Sequence, residues 1–481
     1  MIGASRWKPY PETKDSGIEW LGEIPEDWGV VPFKTVLARN DSGVWGDDPD
    51  GVSDRLVLRS TEQDVNGSWS IDDPAPRKLS ERERTEALLI EGDLVVTKSS
   101  GSQLHIGKTS YVDEGVASLR ACFSNFMQRL RLKSGNDPRL YWHLMNSPVC
   151  RQQFVFLSTT TTGLGNLNAG IIGAVWVPVA SLGEQQAIAD FLDRETAKVD
   201  ALVEKKERLI ELLQEKRTAL ITHAVTKGLP AAEAAQAGLD PNVPMKDSGT
   251  CLRAGTHRQV DWLGHLPARG AQAGIPAHWA ETRLGWCVEV SGGHTPDTGE
   301  LRFWAGEIPW VTPKDMKRRD ITDSLDHVSE AALSEPGLRL LAPGSVLIVV
   351  RGMILVHTFP VAVLRVPATI NQDMKGLFPR DGLGSDYLAY LLEGISGFML
   401  SLVEESAHGT RRLQTELWKR VQLFLPPASE QAKIVVHLDR ETAKIDSLIA
   451  KVSEAIERLK EYRTALISAA VTGKIDVREA A

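Results

Sequence analysis

The residues with the most evident chemical potential run from Gly101 to Thr109, where Gly107-Lys108-Thr109 follows a β-rich run and a polar turn. A phosphate-cradling loop needs glycines so that backbone N–H groups can surround a phosphate, a lysine to neutralise it and a hydroxyl to hold Mg2+. The spacing does not fit, because position 102, which would have to be glycine, is Ser102, and no helical pattern follows Thr109. The run Gly163-Leu164-Gly165-Asn166-Leu167-Asn168 similarly lacks the third glycine of a dinucleotide-binding turn.

Other chemistries are not supported either. The 11 histidines are scattered, and neither an HExxH helix nor a GxSxG elbow occurs. Cys122, Cys150, Cys251 and Cys287 are far apart and form no CxxC pair, which argues against a zinc ribbon and a disulfide framework and for a reducing compartment. No Asn-Pro-Pro-aromatic or Asp-Pro-Pro-Tyr motif of the adenine-methyltransferase type occurs; Leu425-Pro426-Pro427 is a superficial echo that ends a strand. The expectation is a non-catalytic chain with no metal and no cofactor of its own.

Bulk properties narrow the class further. The 481 residues exceed one ordinary core, and 42% hydrophobic with 25% charged residues is the balance of a soluble multidomain protein. No stretch of about 18 uncharged apolar residues occurs and the N-terminus lacks an apolar signal core, so the reading is cytoplasmic, with no membrane. A net charge of -8 argues mildly against a polyanionic partner, although a local basic surface can outweigh it.

What positions any functional residue is an internal duplication. Residues 184–226 align without a gap to 430–472, with Leu192-Asp193-Arg194-Glu195-Thr196-Ala197-Lys198 repeated letter for letter at 438–444, and Arg217-Thr218-Ala219-Leu220-Ile221 at 463–467. Upstream, Lys14-Asp15-Ser16-Gly17, Trp20 and Ile24-Pro25 with Trp28 recur as Lys246-Asp247-Ser248-Gly249, Trp262 and Ile275-Pro276 with Trp279. The tryptophans read as core anchors. Each tail lacks Pro and Gly over about 40 residues and repeats apolar residues on a heptad, which predicts a helix about 60 Å long. The rows read Leu438, Ile445, Val452, Leu459 and Leu466 with Leu448, Ala455, Tyr462 and Ala469, and Leu192, Val199, Leu213 and Leu220 with Leu202 and Leu209, interrupted at Lys206 and Lys216. Neither helix can bury such a seam alone, and its duplicate packed antiparallel is the simplest partner.

The bodies between these tails read as mixed α/β (α+β). Short β-rich runs at 93–97 and 346–350 end in the polar turns Lys98-Ser99-Ser100-Gly101 and Arg351-Gly352. A helix follows in each, with Leu140, Trp142, Leu144 and Met145 answering Leu388, Tyr390, Leu391 and Leu392. The predicted division is a first body with its N-terminal segment at 1–182, a spacer helix at 183–228, a linker and repeated entry segment at 229–274, a second body at 275–428 and a second spacer helix at 429–478.

This order resembles the specificity subunits of type I restriction-modification systems. The resemblance rests on Pro426-Pro427-Ala428-Ser429-Glu430-Gln431 with Ile434 and Leu438-Asp439, and on the looser first copy, Pro178-Val179-Ala180-Ser181-Leu182-Gly183-Glu184-Gln185. It rests also on Ser291-Gly292-Gly293-His294-Thr295-Pro296, Ile308-Pro309-Trp310-Val311-Thr312, Asn371-Gln372 and the Gly409-Thr410 loop of the second body. The first body departs, with no Gly-Gly-x-Thr-Pro start and Asn125 without a following Gln. The resemblance implies two target-recognition domains separated by two long helices in an antiparallel coiled coil, with an internal pseudo-twofold repeat. It implies a bipartite asymmetric target in double-stranded DNA, two modification subunits that methylate adenine N6, and restriction subunits that cut. S-adenosylmethionine, ATP and Mg would then belong to those partners.

Base reading needs bidentate groups, Arg or Lys for guanine and Asn or Gln for adenine, while phosphate contacts need any cation or N–H donor. The loop candidates in the first body are Lys98, Ser99, Ser100, Gln103, Thr160, Thr161, Thr162, Asn166 and Asn168. In the second they are Lys314, Lys317, Arg318, Arg319, Arg351, His408, Thr410, Arg411 and Arg412. The plainer readings are that the Lys-Arg run is a solvated face and the threonine run a simple connection. The alternative for the whole chain is a non-catalytic coiled-coil scaffold carrying two protein-binding modules.

Overall fold

The computed structural model describes residues 7–52, 54–100, 105–158, 166–247, 274–380, 382–405 and 409–478. The chain divides into two compact units, Met1–Glu207 with Ser453–Ala481, and Arg208–Val452.

In the first unit, Leu94–Thr97 is buried along its whole length and lies between Met127–Leu132 and Thr109–Tyr111, with Leu37–Ser42 beyond Met127–Leu132. A strand buried on both faces reads as an unbroken apolar run, which explains Leu94-Val95-Val96. A second sheet pairs Asp54–Leu58 with Ala75–Lys78 and, in parallel, with Cys122–Phe123. The second unit repeats this plan. Val346–Val349 lies between Met374–Pro379 and Val361–Leu364, with Val288–Gly292 beyond, while Ile308–Val311 pairs with Asp326–Val328 and, in parallel, with Thr369–Ile370. The second unit adds an edge strand, Asp320–Ile321, and a hairpin of Val403–Glu405 with Arg411–Leu413.

The repeated entry segments form the same hairpin, with Lys14 opposite Ile24 and Lys246 opposite Ile275. Trp28 and Trp279 anchor the cores as expected, but Trp20 is 44% exposed and anchors nothing. Trp262 lies outside the described residues.

The tails are single helices, Leu182–Lys227 and Ala428–Val471. Within the first unit Arg463 reaches Asp200 at 2.9 Å, and residues later in the second helix, Leu466 and Ala470, share a core with the earlier Leu192 and Ile188. Within the second unit Arg217 reaches Asp446 at 3.0 Å, and Ile221 and Val225 share a core with Leu438 and Ile434. Both pairings run antiparallel. The expected first row of the seam is present, and of the second row Tyr462 and Ala469 pack against the first unit's core and Ala455 is half-buried, but the leucines of that row give way to their neighbours. Thr196, Val203, Thr442, Ile449 and Ile456 turn inward, while Leu202, Leu209 and Leu448 are exposed. Positions three and four along a helix adjoin the same neighbour, and the sequence offers apolar residues at both. At the end of the second helix Gly473 takes a positive φ of 69°, and a Cβ there would lie 2.2 Å from Pro25. The chain turns there and buries Ile475 and Val477 in the first unit's core. Among the described residues, no helix is long and apolar enough to cross a membrane.

The duplicated tail residues attach each body to its helix. Gln185 donates to the Ala180 carbonyl at 2.8 Å and accepts from the Asp137 backbone N–H at 2.9 Å; Gln431 donates to Pro426 and accepts from Gly384 N–H, both at 2.9 Å. Asp193 takes His143 at 2.8 Å and Arg139 at 3.1 Å, whereas Asp439 takes Tyr390 at 2.6 Å and Arg319 at 2.9 Å. The helix residues repeat, and the body side chains that meet them do not.

Candidate nucleic-acid interface

In the first unit the buried strand runs out at Lys98 and Ser99, where segments from three other parts of the chain meet it. The Lys98 N–H donates to Phe126 O at 3.0 Å, Leu167 N–H donates to Lys98 O at 2.8 Å, and Ser99 pairs antiparallel with Asn166. Residues directly opposite in such a pair project to one face of the sheet. The Ser99 hydroxyl accordingly donates to Asn166 Oδ1 at 2.8 Å. The Lys98 ammonium donates to Ser42 Oγ at 2.5 Å, and partial burial lowers its pKa. The edge is thus one guarded cation and a row of neutral donors and acceptors.

The second unit builds the same edge from other side chains. Val350 N–H donates to Asp373 O at 2.8 Å, Leu413 N–H donates to Val350 O at 2.9 Å, and Arg351 pairs antiparallel with Arg412. Since Met127 faces Thr97 and Met374 faces Val349, Ser99 corresponds to Arg351, Asn166 to Arg412 and Asn125 to Gln372. Two guanidinium groups directly opposite on one face repel each other. Asp373, 3.9 Å from Arg351, offsets only part of this, and Arg411 is paired with Glu405 at 2.9 Å. Such an arrangement has a use if an anion is to lie across it.

Residues 76–212 and 276–458, one stretch in each repeat, match the family described as the type I restriction modification DNA specificity domain. The chain belongs to this family. The specificity subunit of type I restriction enzyme EcoR124I/EcoR124II from Escherichia coli is 32% identical over 181 residues, which are 37% of this chain and 44% of that subunit, so the match spans less than half of the relative's length. The StySPI specificity subunit of Salmonella potsdam is 23% identical over 472 residues, 94% of this chain and 90% of that subunit. A chain in a solved structure concerned with complex assembly and conformational transition of the type I R-M system shares the fold, with a TM-score of 0.62 at 19% identity, covering 93% of this chain and 98% of that one.

In the first specificity domain, then, the structure brings together Lys98, Ser99 and Asn166, with Ser100 half-buried beside them. Asn168 is engaged elsewhere: its side chain accepts from Ile171 N–H at 2.9 Å and caps the helix Ala169–Ala174. Gln103, Thr160, Thr161 and Thr162 lie outside the described residues. In the second specificity domain Arg351, Arg411 and Arg412 share one edge, Thr410 is the residue before that strand, and His408 lies outside the described residues. Lys314, Lys317 and Arg318 are exposed on a separate turn after Ile308–Val311, held by Asp315, whose carboxylate accepts from Thr312 N–H at 2.8 Å. Arg319 belongs to the attachment of body to helix, with its guanidinium on Asp439 and Asp386 O and 3.4 Å from the Tyr390 ring centre.

Sequence reasoning missed Asn125, Phe126 and Gln372 as members of these edges. All three are exposed, and Gln372 accepts from Thr295 at 2.5 Å. An amide in the turn before each pairing strand was the available signal. The decoy lysine, Lys108, is buried and donates to the Ser60 and Gln63 carbonyls at 2.6 Å, while Phe154 packs against Gly107 where a phosphate cradle would open. Among the described residues, no group of three or more His, Cys, Asp or Glu could hold a metal ion.

Proposed function

We propose that this chain is the sequence-reading subunit of a type I restriction-modification enzyme, each specificity domain reading one half of a bipartite, asymmetric duplex target. The observation that carries this is one structural edge, built twice, with Ser99 and Asn166 in one domain where Arg351 and Arg412 stand in the other. An equivalent position with a different donor set reads a different base. Arginine pairs offer bidentate donors to guanine, and Asn166, Asn125 and Gln372 offer the donor and acceptor that adenine requires. Lys98, Thr410 and Arg411, and the exposed Lys314, Lys317 and Arg318, contact phosphates.

In this reading the chain carries no catalytic group and no cofactor. Two modification subunits bind S-adenosylmethionine and flip the target adenine out of the duplex to reach N6. Restriction subunits use ATP and Mg and cut unmodified DNA, and the complex works in the cytoplasm. The exposed leucines of the long helices, Leu202 in one unit and Leu209, Leu212 and Leu448 in the other, are the dock for the modification subunits.

The test is a methylome: the chain is co-expressed with its modification subunit in a methylation-free host and N6-methyladenine is mapped by single-molecule sequencing. Two short half-sites around a fixed gap, lost when the chain is omitted, are expected. Absence of new methylation from a folded, assembled complex would favour the scaffold reading.

A further inference from the structure

Immediately after Arg351 the chain forms a single 3-10 turn, Met353–Val356, that presents apolar side chains to solvent. Met353 is 63% exposed, Ile354 37% and Val356 41%, while Leu355 between them is 2% exposed and sits in the second unit's core. Three exposed apolar groups within four residues are not scattered surface residues. The turn is also built to hold its shape. Gly352 takes a φ of 132°, a conformation that side-chain-bearing residues avoid, and its N–H donates to Arg411 O at 3.0 Å. Inside the turn Leu355 N–H donates to Gly352 O at 3.2 Å, and Thr358 N–H donates to Ile354 O at 3.0 Å. The apolar tip is therefore fixed beside Arg351, Arg411 and Arg412.

A partner that takes both arginines and an apolar tip within one short segment must carry negative charge and a small apolar feature side by side. Duplex DNA has one such feature in the major groove, the C5-methyl group of thymine, among acceptors that bind guanidinium groups. We infer that Met353 and Ile354 contact thymine methyl groups in the second half-site, so that an A·T pair is specified there by apolar contact beside the arginine-read positions. This rests on the DNA-reading role proposed above and adds the residues that recognise thymine.

Replacing thymine by deoxyuridine removes the methyl group and leaves base pairing intact. The full-length chain assembled with its modification subunits is titrated with duplexes carrying its split target, with thymine or deoxyuridine in the second half-site. Binding about fourfold weaker per methyl contacted is expected, the factor that burial of one methyl group supplies. Met353→Ala with Ile354→Ala should bind the two duplexes equally, and deoxyuridine in the first half-site should affect this variant and the unaltered complex alike. Equal binding of both duplexes by the unaltered complex overturns the inference, as does a variant that still discriminates or a second half-site without an A·T pair. A variant that loses its modification subunits while discrimination persists would make the turn a protein contact and overturn it too. No preference for any split duplex over random DNA overturns the DNA-reading role itself, an outcome distinct from the others.

Discussion

Arg217 on the first long helix donates to Asp446 on the second at 3.0 Å, and one repeat further on, with the helices exchanged, Arg463 donates to Asp200 at 2.9 Å. Each pair lies within one unit, and together they place the same contact on both halves of the duplicated helix. The acidic partners are more than half exposed, so each pair should contribute only about 0.5 kcal/mol. Asp200→Ala and Asp446→Ala are expected to lower the melting temperature slightly and additively. A double-mutant cycle on Arg463 and Asp200 should return a coupling of that size, and raising the salt concentration should shrink it.

Gln185 and Gln431 should matter far more than these exposed ion pairs. Gln185 satisfies a buried backbone carbonyl and a buried backbone N–H, and Gln431 a buried carbonyl and the part-buried N–H of the exposed Gly384. Gln185→Ala leaves both groups unpaired, at a cost of about 2–4 kcal/mol in the first unit, and Gln431→Ala leaves the Pro426 carbonyl unpaired, at about 1–3 kcal/mol in the second. Urea unfolding monitored by tryptophan fluorescence should show the loss, and Gln→Glu should recover only part of it.

The two reading edges should fail separately. Arg351→Ala should relax discrimination at one position of the second half-site by about 10- to 100-fold and leave the first half-site unchanged. Asn166→Ala should do the reverse. Methylation motifs recovered from each variant check this. Lys317→Ala should instead weaken binding to every duplex and lower the slope of log affinity against log salt by about 0.9.

Acid should weaken the first unit through His143. Burial lowers its pKa, and the neighbouring Asp193 opposes this only in part. A base whose folded pKa lies below its unfolded value of about 6.5 binds more protons when unfolded, so stability is retained above that value and falls as pH drops beneath it. The unfolding midpoint of the unaltered chain should fall between pH 7.5 and pH 5.5, conditions chosen roughly to bracket the unfolded value. His143→Gln should flatten the part of this profile that belongs to the first unit.

Much of the architecture was legible because it is written twice. The duplicated tails foretold two helices in antiparallel register, and apolar runs ending in polar turns located the central strands. Leu202 and Leu448 were misplaced in the seam because Leu202 with Val203, and Leu448 with Ile449, offer adjacent apolar residues, and only packing chooses between them. The reading edges were legible as loops but not as pairs. Arg351 and Arg412 are far apart in the chain, and their opposition is set by strand register, which no local pattern encodes. Arg319 sits in a basic run, but its role depends on Asp439, 120 residues on. Lys108 looked chemical for the opposite reason: a familiar spacing in the chain concealed two carbonyl partners brought in by the fold.

The attachment made by Gln185 and Gln431 draws on backbone groups alone, the carbonyls of Ala180 and Pro426 and the N–H of Asp137 and of Gly384. Nearly any amino acid supplies such a donor. The residues at 137 and 384 can therefore change without loss of these bonds, whereas His143 and Arg139 on Asp193, and Tyr390 and Arg319 on Asp439, tie each body to its helix through side chains. This part of the joint is a standard fitting, indifferent to which side chain the body carries at either position.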